Sequence, residues 1–373
     1  MSDDKRKQQL ECLMEQGFPR GLANALYQSC KDAFALRLWV VDNSGSMVHP
    51  DGRKLVSTTN KNDVKWVRCS RWEELKECVM YHAQLAALLN CPTKFNFLNS
   101  QHNRIPHSCG VAEMGLDMVE EELASFSNVL SEVHPSGSTP LERHLNEIYA
   151  TIAPMKASLE KSGKKVVVCL ATDGIPTDDR GYQDYVTKRK FERALQRLMR
   201  ELPVWMVVRL CTSEESVLKF YQDIDEQLEC NIEVLDDYLD EAKEVYVCNP
   251  WITYGLPLHR CREMGFHHRV LDLLDERTLT LDEVLIFLRL LFDKQLSCDP
   301  HVDWDDFLNE IQKEILNAED LTYNPVRKRL TAWLDLNKLQ RIYGPWRLRL
   351  NWYFAIAIVF IATLAQIVTK YVI

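Results

Sequence analysis

Short apolar runs alternate with amphipathic stretches over the first two thirds of the chain. The apolar runs occupy residues 33–41, 93–99, 164–172, 203–211 and 231–237. Nearly continuous apolar runs are typical of strands buried on both faces of a parallel sheet. Helix patterns lie between them, at residues 71–89, 139–161, 185–201 and 213–228. Strands that alternate with helices predict an α/β domain with a doubly wound, mostly parallel sheet.

Two additions precede and interrupt this pattern. The segment LMEQGFPRGLANAL, residues 13–26, resembles part of a ubiquitin-associated (UBA) domain, but Gln16 stands at the Met position of that family's first loop. The first strand also begins too soon for a third helix. We therefore expect residues 1–32 to form two helices that pack on the α/β domain, with ubiquitin binding as a weaker alternative. Residues 49–70 predict a hairpin.

A helical extension follows the α/β pattern, which we place at residues 33–247. Residues 248–345 contain the capping box Thr280–Glu283, which predicts the start of a helix with an apolar stripe from Val284 to Leu291. Residues 304–319 form a further amphipathic pattern. Because no long flexible linker precedes them, we expect these helices to pack against the α/β domain.

The carboxyl end of the chain is apolar. Residues 352–369 are 18 positions without a charge, and as a helix they would span about 27 Å. This pattern predicts a transmembrane helix over residues 350–370, and a helix docked in the core is the alternative. Since only residues 370–373 follow it, and Arg347 and Arg349 precede it, we expect a single-pass, tail-anchored protein whose α/β domain faces the cytosol. The sequence does not indicate the organelle.

Composition narrows the class of protein. Of the 373 residues, 27% are charged and 46% hydrophobic, as in ordinary globular proteins. A net charge of -9 argues against nucleic acid as the partner, since phosphate contacts require clustered lysine and arginine. Twelve cysteines are scattered through the chain, and the first residues contain no apolar signal segment. We therefore expect reduced thiols.

Oxygen-bearing side chains occur where two predicted strands end. Asp42, Ser44 and Ser46 follow the first strand, Asp173 follows another, and Thr139 precedes a helix. Ligands of open α/β sheets bind beyond the carboxyl ends of the strands, so these side chains should converge. We call this set the oxygen rim. Its hard oxygen ligands favour Mg²⁺, with Mn²⁺ as a second option, over zinc.

Each motif also has a purely structural explanation. The sequences DNSGS and TDG are typical of turns, because Asn, Asp, Ser and Gly all favour them. Thr139 to Glu142 forms a capping box with Pro140 at the first helical position, so Thr139 could serve only as a helix cap. Their joint occurrence at one predicted edge favours a metal site.

The three motifs together resemble the von Willebrand factor A (VWA) domain and its metal-ion-dependent adhesion site (MIDAS). The matching residues are Asp42, Ser44 and Ser46 of D-x-S-x-S, then Thr139 of G-S-T-P-L, then Asp173 of T-D-G. The extension resembles that of intracellular eukaryotic VWA proteins. The resemblance implies a Rossmann-like fold, a bound Mg²⁺ or Mn²⁺, and capture of a protein partner that offers a carboxylate to the metal.

The ligand set favours binding over catalysis. Two carboxylates and three hydroxyls donate little negative charge, so a divalent cation would stay electrophilic enough for a partner carboxylate to displace a water. The chain has no Walker loop, and Ser44 stands where a D-x-D phosphatase requires its second aspartate. His102, His107 and Cys109 lack a fourth zinc ligand. We expect no enzyme. The alternatives are a scaffold with a structural metal and, less favoured, a metal-dependent hydrolase.

Overall fold

The computed structural model describes residues 3–57, 64–100, 105–228, 232–294, 296–317 and 319–345. The strands in these ranges are β1 (Phe34–Val41), β2 (Gly52–Ser57), β3 (Val64–Cys69), β4 (Thr93–Phe97), β5 (Ser108–Val111), β6 (Lys165–Thr172), β7 (Val204–Leu210), β8 (Ile232–Leu235), β9 (Thr322–Asn324) and β10 (Arg329–Thr331). The α-helices are α1 (Asp3–Glu15), α2 (Arg20–Gln28), α3 (Arg71–Leu89), α4 (Val119–Glu132), α5 (Leu141–Ile152), α6 (Lys156–Ser162), α7 (Tyr185–Glu201), α8 (Glu215–Leu228), α9 (Tyr238–Cys248), α10 (Leu256–Glu263), α11 (Arg269–Glu276), α12 (Leu281–Phe292), α13 (Trp304–Ile311) and α14 (Leu336–Tyr343). Shorter 3₁₀ or π turns occupy Ser29–Ala33, Gly45–Val48, Ala153–Met155 and Gln312–Leu316.

A six-stranded sheet forms the centre of the fold, in the order β5-β4-β1-β6-β7-β8. All neighbouring pairs are parallel except β4 and β5. The last residue of β1, Val41, pairs with Phe97 of β4 on one side and Ala171 of β6 on the other. The prediction of a mostly parallel α/β sheet is confirmed.

Helices cover both faces of this sheet. Successive side chains of a strand point to opposite faces, so Trp39 of β1 packs in a cluster with Leu75 of α3 and Phe126 of α4. Val40 packs on the other face with Leu145 of α5. Burial on both faces explains the nearly continuous apolar runs.

The amino-terminal helices and the helical extension contribute to one further core. Leu22 of α2 packs in a cluster that also contains Leu89 of α3 and Phe287 of α12. A Cβ atom at Gly21 would lie 2.4 Å from the backbone nitrogen of Asp293, so the two helices meet at backbone distance. Phe18, in the loop that resembles a UBA domain, is buried in this core. The additions therefore pack against the α/β domain and each other.

An antiparallel hairpin stands beside the carboxyl edge of β1. Strands β2 and β3 pair from Gly52–Cys69 to Ser57–Val64, and residues 58–63 lie outside the described ranges. The backbone N–H of Arg71 donates to the carbonyl of His49 at 3.0 Å, which ties the first residue of α3 to the start of the insert. The hairpin predicted for residues 49–70 is present in the described part.

The predicted fold class needs one correction, in its membrane component. Within the described part of the chain, no helix is long and apolar enough to cross a membrane. The residues predicted to form the transmembrane helix, 350–370, lie outside the described ranges. An apolar run shows only that a segment avoids water. The fold class that the described residues show is therefore a mixed α/β domain with helical additions.

The capping box of α12 is confirmed and makes a pH-dependent contribution to stability. Thr280 accepts from the backbone N–H of Glu283, and the Glu283 carboxylate accepts from that of Thr280 at 2.8 Å. Arg277 donates to both oxygens of the same carboxylate, at 2.7 and 2.9 Å. Hydrogen bonds from Arg277 and Thr280 lower the pKa of Glu283 from 4.5 to about 2.

We expect Glu283→Gln to lower the free energy of unfolding at pH 7 by about 0.5–1 kcal/mol, since glutamine keeps the cap but loses the charge. A depressed native pKa stabilises above the unfolded value of 4.5, and this contribution is lost as the pH falls through about 2. Urea denaturation between pH 7 and pH 3 should therefore show the two proteins converging in acid. The control is Asp117→Asn, at an exposed turn position. The difference in unfolding free energy between this variant and the original chain should not shrink as the pH falls. A difference that stays constant with pH would exclude this role for Glu283.

Candidate metal centre

The oxygen rim lies where the two central strands end. The backbone N–H of Asp42 donates to the carbonyl of Ala171 at 3.0 Å, which continues the pairing of β1 and β6 by one residue. Asp42 and Asp173 are both buried, at 0% and 2% exposure. Adjacent parallel strands thus place the two aspartates at the same edge of the sheet.

A chain of hydroxyl contacts joins the two strand ends. The backbone N–H of Ser44 donates to Oδ1 of Asp42 at 2.8 Å, and this bond folds the loop back on the aspartate. Oγ of Ser44 lies 3.0 Å from Oγ of Ser46. Oγ of Ser46 donates to Oδ1 of Asp173 at 2.8 Å. Four of the five predicted residues are therefore connected by direct hydrogen bonds.

Thr139 reaches the same place from a third segment. The backbone N–H of Gly45 donates to the carbonyl of Gly137 at 3.0 Å, so the two loops are in direct contact. The backbone N–H of Thr139 donates to the hydroxyl of Thr177 at 2.9 Å. A Cβ atom at Gly174 would lie 3.6 Å from Oγ1 of Thr139. The Thr139 hydroxyl is thus next to the residue that follows Asp173.

The capping role considered for Thr139 is wrong. Helix α5 begins at Leu141, and Pro140 occupies the N-cap position without any side-chain cap hydrogen bond. The carbonyl of Thr139 accepts instead from the backbone N–H of Leu141 at 2.9 Å. The helix starts one residue later than the capping box requires, so its stability does not depend on the Thr139 hydroxyl.

Two asparagines, the buried Asn43 and the half-buried Asn99, fix the three loops relative to one another. Asn43 and Asn99 exchange two hydrogen bonds: the Asn43 side chain donates to the carbonyl of Asn99 at 2.9 Å and accepts from its N–H at 2.8 Å. The side chain of Asn99 donates to the carbonyl of Ser138 at 2.7 Å. The carbonyl of Asn43 accepts from Ser136 at 2.7 Å. The hydroxyls of the rim are therefore positioned by a rigid frame.

The electrostatics of the rim favour a cation. Burial and the neighbouring charge of Asp173 raise the pKa of Asp42 from 3.8 to about 6, although hydrogen bonds from Ser44 and Thr172 act against this shift. The Thr172 hydroxyl donates to Oδ2 of Asp42 at 2.5 Å. The buried carboxylates of Asp42 and Asp173 repel each other, and a divalent cation bound to both would relieve the repulsion and the burial cost.

Arg71 is a charged neighbour that the sequence did not reveal. Its Nη1 lies 2.9 Å from Oδ2 of Asp173, and its Nη2 lies 2.6 Å from Asp51 and 2.8 Å from Glu214. The arginine is 3% exposed, and its hydrogen bonds lower the pKa of Asp51. Arg71 thus contacts three carboxylates, and Asp42 adds a fourth to the rim, so the rim keeps an excess of negative charge. Ser70 and Glu73 form a capping box that marks the start of α3. Nothing in the local sequence shows that Arg71 reaches Asp173, the residue that follows β6.

Among the residues that the structure describes, two other groups of side chains lie close enough together to hold a metal ion. The first consists of Cys78, His82 and Glu263, all buried. Arg260 already donates to Cys78 at 2.9 Å and to Glu263 at 2.8 Å, and Arg209 lies 3.3 Å from the same carboxylate. Two fixed cations make this group an ion-pair network and disfavour a metal.

The second group differs from the histidine and cysteine residues that the sequence analysis considered as zinc ligands. His107 lies with His144 and Glu147 of α5, whereas Cys109 is on the edge strand β5 and is not part of it. His102 lies outside the described residues.

Comparison with known proteins adds little. No model of a known protein family matches the chain, and no curated protein matches it. Matching solved structures include the pilus adhesin SpaC from Lactobacillus rhamnosus GG in its open conformation, at 15% sequence identity and a TM-score of 0.36. The match covers 55% of this chain and 28% of the adhesin chain. At this level the likeness supports no statement about fold or function.

Proposed function

We propose that the oxygen rim binds one Mg²⁺, or Mn²⁺ in its place, and uses it to capture a carboxylate of a protein partner. The observation that carries this proposal is the hydroxyl chain from Ser44 through Ser46 to Asp173, which joins the ends of two adjacent strands. Asp42 and Thr139 flank that chain. All five residues offer oxygen alone, which is the ligand type that Mg²⁺ takes. The resemblance to a VWA domain supports the same proposal.

The residues around the rim support binding and not hydrolysis. A hydrolase needs a free general base within reach of its water. The more exposed carboxylates beside the rim belong to Asp51 and Glu214, and Arg71 holds both. Asp42 accepts from Ser44 and Thr172. When bound, the cation supplies an electrophilic position for a carboxylate oxygen, while the frame of Asn43 and Asn99 holds the hydroxyls in place.

Water relaxation of the Mn²⁺-loaded full chain tests this function, because a carboxylate that displaces water from Mn²⁺ lowers the relaxation rate of the solvent. The probes are short peptides that contain glutamate or aspartate, with matched glutamine or asparagine peptides as controls. We expect only the acidic peptides to lower the relaxivity, and excess Mg²⁺ to compete. If Mn²⁺ binds but no acidic peptide changes the relaxivity, the metal is structural and the capture proposal is wrong.

Thr139→Ala should weaken Mn²⁺ binding by about tenfold, as is typical when a supporting group of a metal site is lost. Because Thr139 does not cap α5, the free energy of unfolding of the metal-free protein should change by no more than about 1 kcal/mol. Thr139→Ser keeps the oxygen and should bind like the original chain. If Thr139→Ala binds Mn²⁺ as tightly as Thr139→Ser does, the Thr139 hydroxyl is not a ligand of the metal.

A further inference from the structure

The cluster formed by His107, His144 and Glu147 is separate from the oxygen rim. His144 and Glu147 lie three positions apart on α5, which places both on one face of the helix. His107 directly precedes the edge strand β5. One potential ligand atom of each residue lies within 4.8 Å of the other two. The chain thus brings two imidazoles and a carboxylate together from two distant segments.

Hydrogen bonds determine which nitrogen of His144 faces the cluster. Nε2 lies 3.0 Å from the carbonyl oxygen of Leu98, which can only accept, so Nε2 carries the hydrogen. In the neutral ring, a hydrogen on Nε2 leaves the lone pair on Nδ1. That nitrogen lies 3.4 Å from Oε2 of Glu147. Two acceptors therefore face each other, and a cation between them would turn this repulsion into attraction.

The spacing matches tetrahedral coordination. Two ligands at 2.0–2.1 Å from a tetrahedral Zn²⁺ are about 3.3 Å apart, close to the 3.4 Å between His144 and Glu147. His107 is oriented by a contact of 3.3 Å between its Nδ1 and Oγ of Ser100, which leaves Nε2 as its ligand atom. The two imidazole rings are 5.3 Å apart. Ligating histidines characteristically bond through their second nitrogen to a carbonyl or another polar group, as both rings do here.

Among the described residues, Arg143 approaches the cluster, and its shorter contacts are with groups outside the cluster. Its Nη1 lies 2.6 Å from Asp179 and its Nη2 donates to the carbonyl of Leu98 at 3.1 Å. Its Nε is 3.8 Å from Oε1 of Glu147, while the oxygen that faces His144 is Oε2. Nη2 is also 3.4 Å from Nε2 of His144, on the side away from the cluster. Arg143 therefore leaves the facing atoms free for a metal.

We propose that His107, His144 and Glu147 form a Zn²⁺ site that ties helix α5 to the segment before β5. Two imidazoles and one carboxylate suit Zn²⁺, whereas Mg²⁺ prefers oxygen ligands. Three protein ligands leave the fourth position of a tetrahedral zinc open, and Glu147 is solvent-exposed, so water can reach it. The site is independent of the function proposed for the oxygen rim.

Zinc competition on the full chain, with a chromophoric chelator and millimolar Mg²⁺ present, tests the site. Glu147→Gln and His107→Gln, both at partly or fully exposed positions, should each weaken Zn²⁺ binding by at least about 100-fold, because loss of an outer-shell partner alone costs 10–100-fold. Glu142→Gln, a change at a half-buried glutamate on the same helix, should bind zinc like the original chain. Co²⁺ should give the visible absorption of a tetrahedral site, which both test variants lose.

Circular dichroism separates loss of a ligand from loss of the fold. Glu147→Gln only replaces an exposed carboxylate with an amide, so the fold should be retained. The proposal is overturned if the original chain binds no Zn²⁺ under these conditions. It is equally overturned if zinc affinity and the Co²⁺ spectrum survive in folded Glu147→Gln and His107→Gln.

Discussion

Asp42→Asn should abolish the stabilisation of the protein by Mg²⁺. The substitution keeps an oxygen that accepts from Ser44 but removes one of the two buried carboxylates of the oxygen rim. A ligand present at a hundredfold its dissociation constant stabilises by about 2.7 kcal/mol, and the variant should lose this whole increment. Without Mg²⁺ the variant should be as stable as the original chain or more so, since it no longer buries a second charge beside Asp173.

Thermal unfolding with and without Mg²⁺ measures both effects. The original chain should melt at a higher temperature with Mg²⁺ than with chelator, and Asp42→Asn should melt at one temperature in both. Asp305→Asn, an exposed carboxylate on α13, is the matched control and should keep the full Mg²⁺ response. An unchanged Mg²⁺ response in Asp42→Asn would show that the rim is not where the ion binds.

Arg262→Met should destabilise the protein by about 3–5 kcal/mol, the cost of leaving a buried charge without its partner. Arg262, on α10, lies 2.7 Å from Glu233 of β8 and 2.7 Å from Glu241 of α9. All three side chains are buried. This network joins the helical extension to the sheet, so its loss should reduce the stability of the whole chain in urea denaturation.

The destabilisation caused by Arg262→Met should grow as the pH rises. Burial raises the pKa of Glu233, and it raises that of Glu241 from 4.5 to about 8. A carboxyl with a raised native pKa binds more protons when folded, so stability falls as the pH rises from the unfolded value towards the native one. Without Arg262 both pKa values should rise further, which steepens the fall. Adding Glu241→Gln to Arg262→Met should restore part of the loss. A pH-independent loss below about 1 kcal/mol would contradict the role of this network.

Local sequence patterns predicted the central strands of the sheet and the long helices that cover it. Helices α3 and α7 have the predicted bounds, and β1 and β6 differ by one residue from them, because strands buried on both faces and amphipathic helices leave strong local signals. Helix α4 and strand β5 were not predicted. Strand β5 is a four-residue edge strand, and short, partly exposed strands carry little apolar pattern.

The oxygen rim was predictable as a convergence of strand ends, but its surroundings were not. The rule that ligands collect at the carboxyl edge of a parallel sheet needs only the strand order. The contact of Arg71 with Asp173 spans 102 positions, and the pairing of His107 with His144 depends on how α5 packs against the sheet. The capping role considered as an alternative for Thr139 is wrong because Pro140 itself occupies the N-cap position.

Titration of the full chain with Mn²⁺, followed by electron paramagnetic resonance of the free ion, tests the metal centre most directly. The Glu147→Gln background prevents the imidazole cluster from contributing. One Mn²⁺ per chain should bind, Mg²⁺ should displace it, and Ca²⁺ should compete less well, since it prefers 6–8 ligands at longer distances. Binding should disappear in Asp42→Asn. No bound Mn²⁺, or an isotherm that Asp42→Asn leaves unchanged, would contradict a metal centre at the ends of β1 and β6.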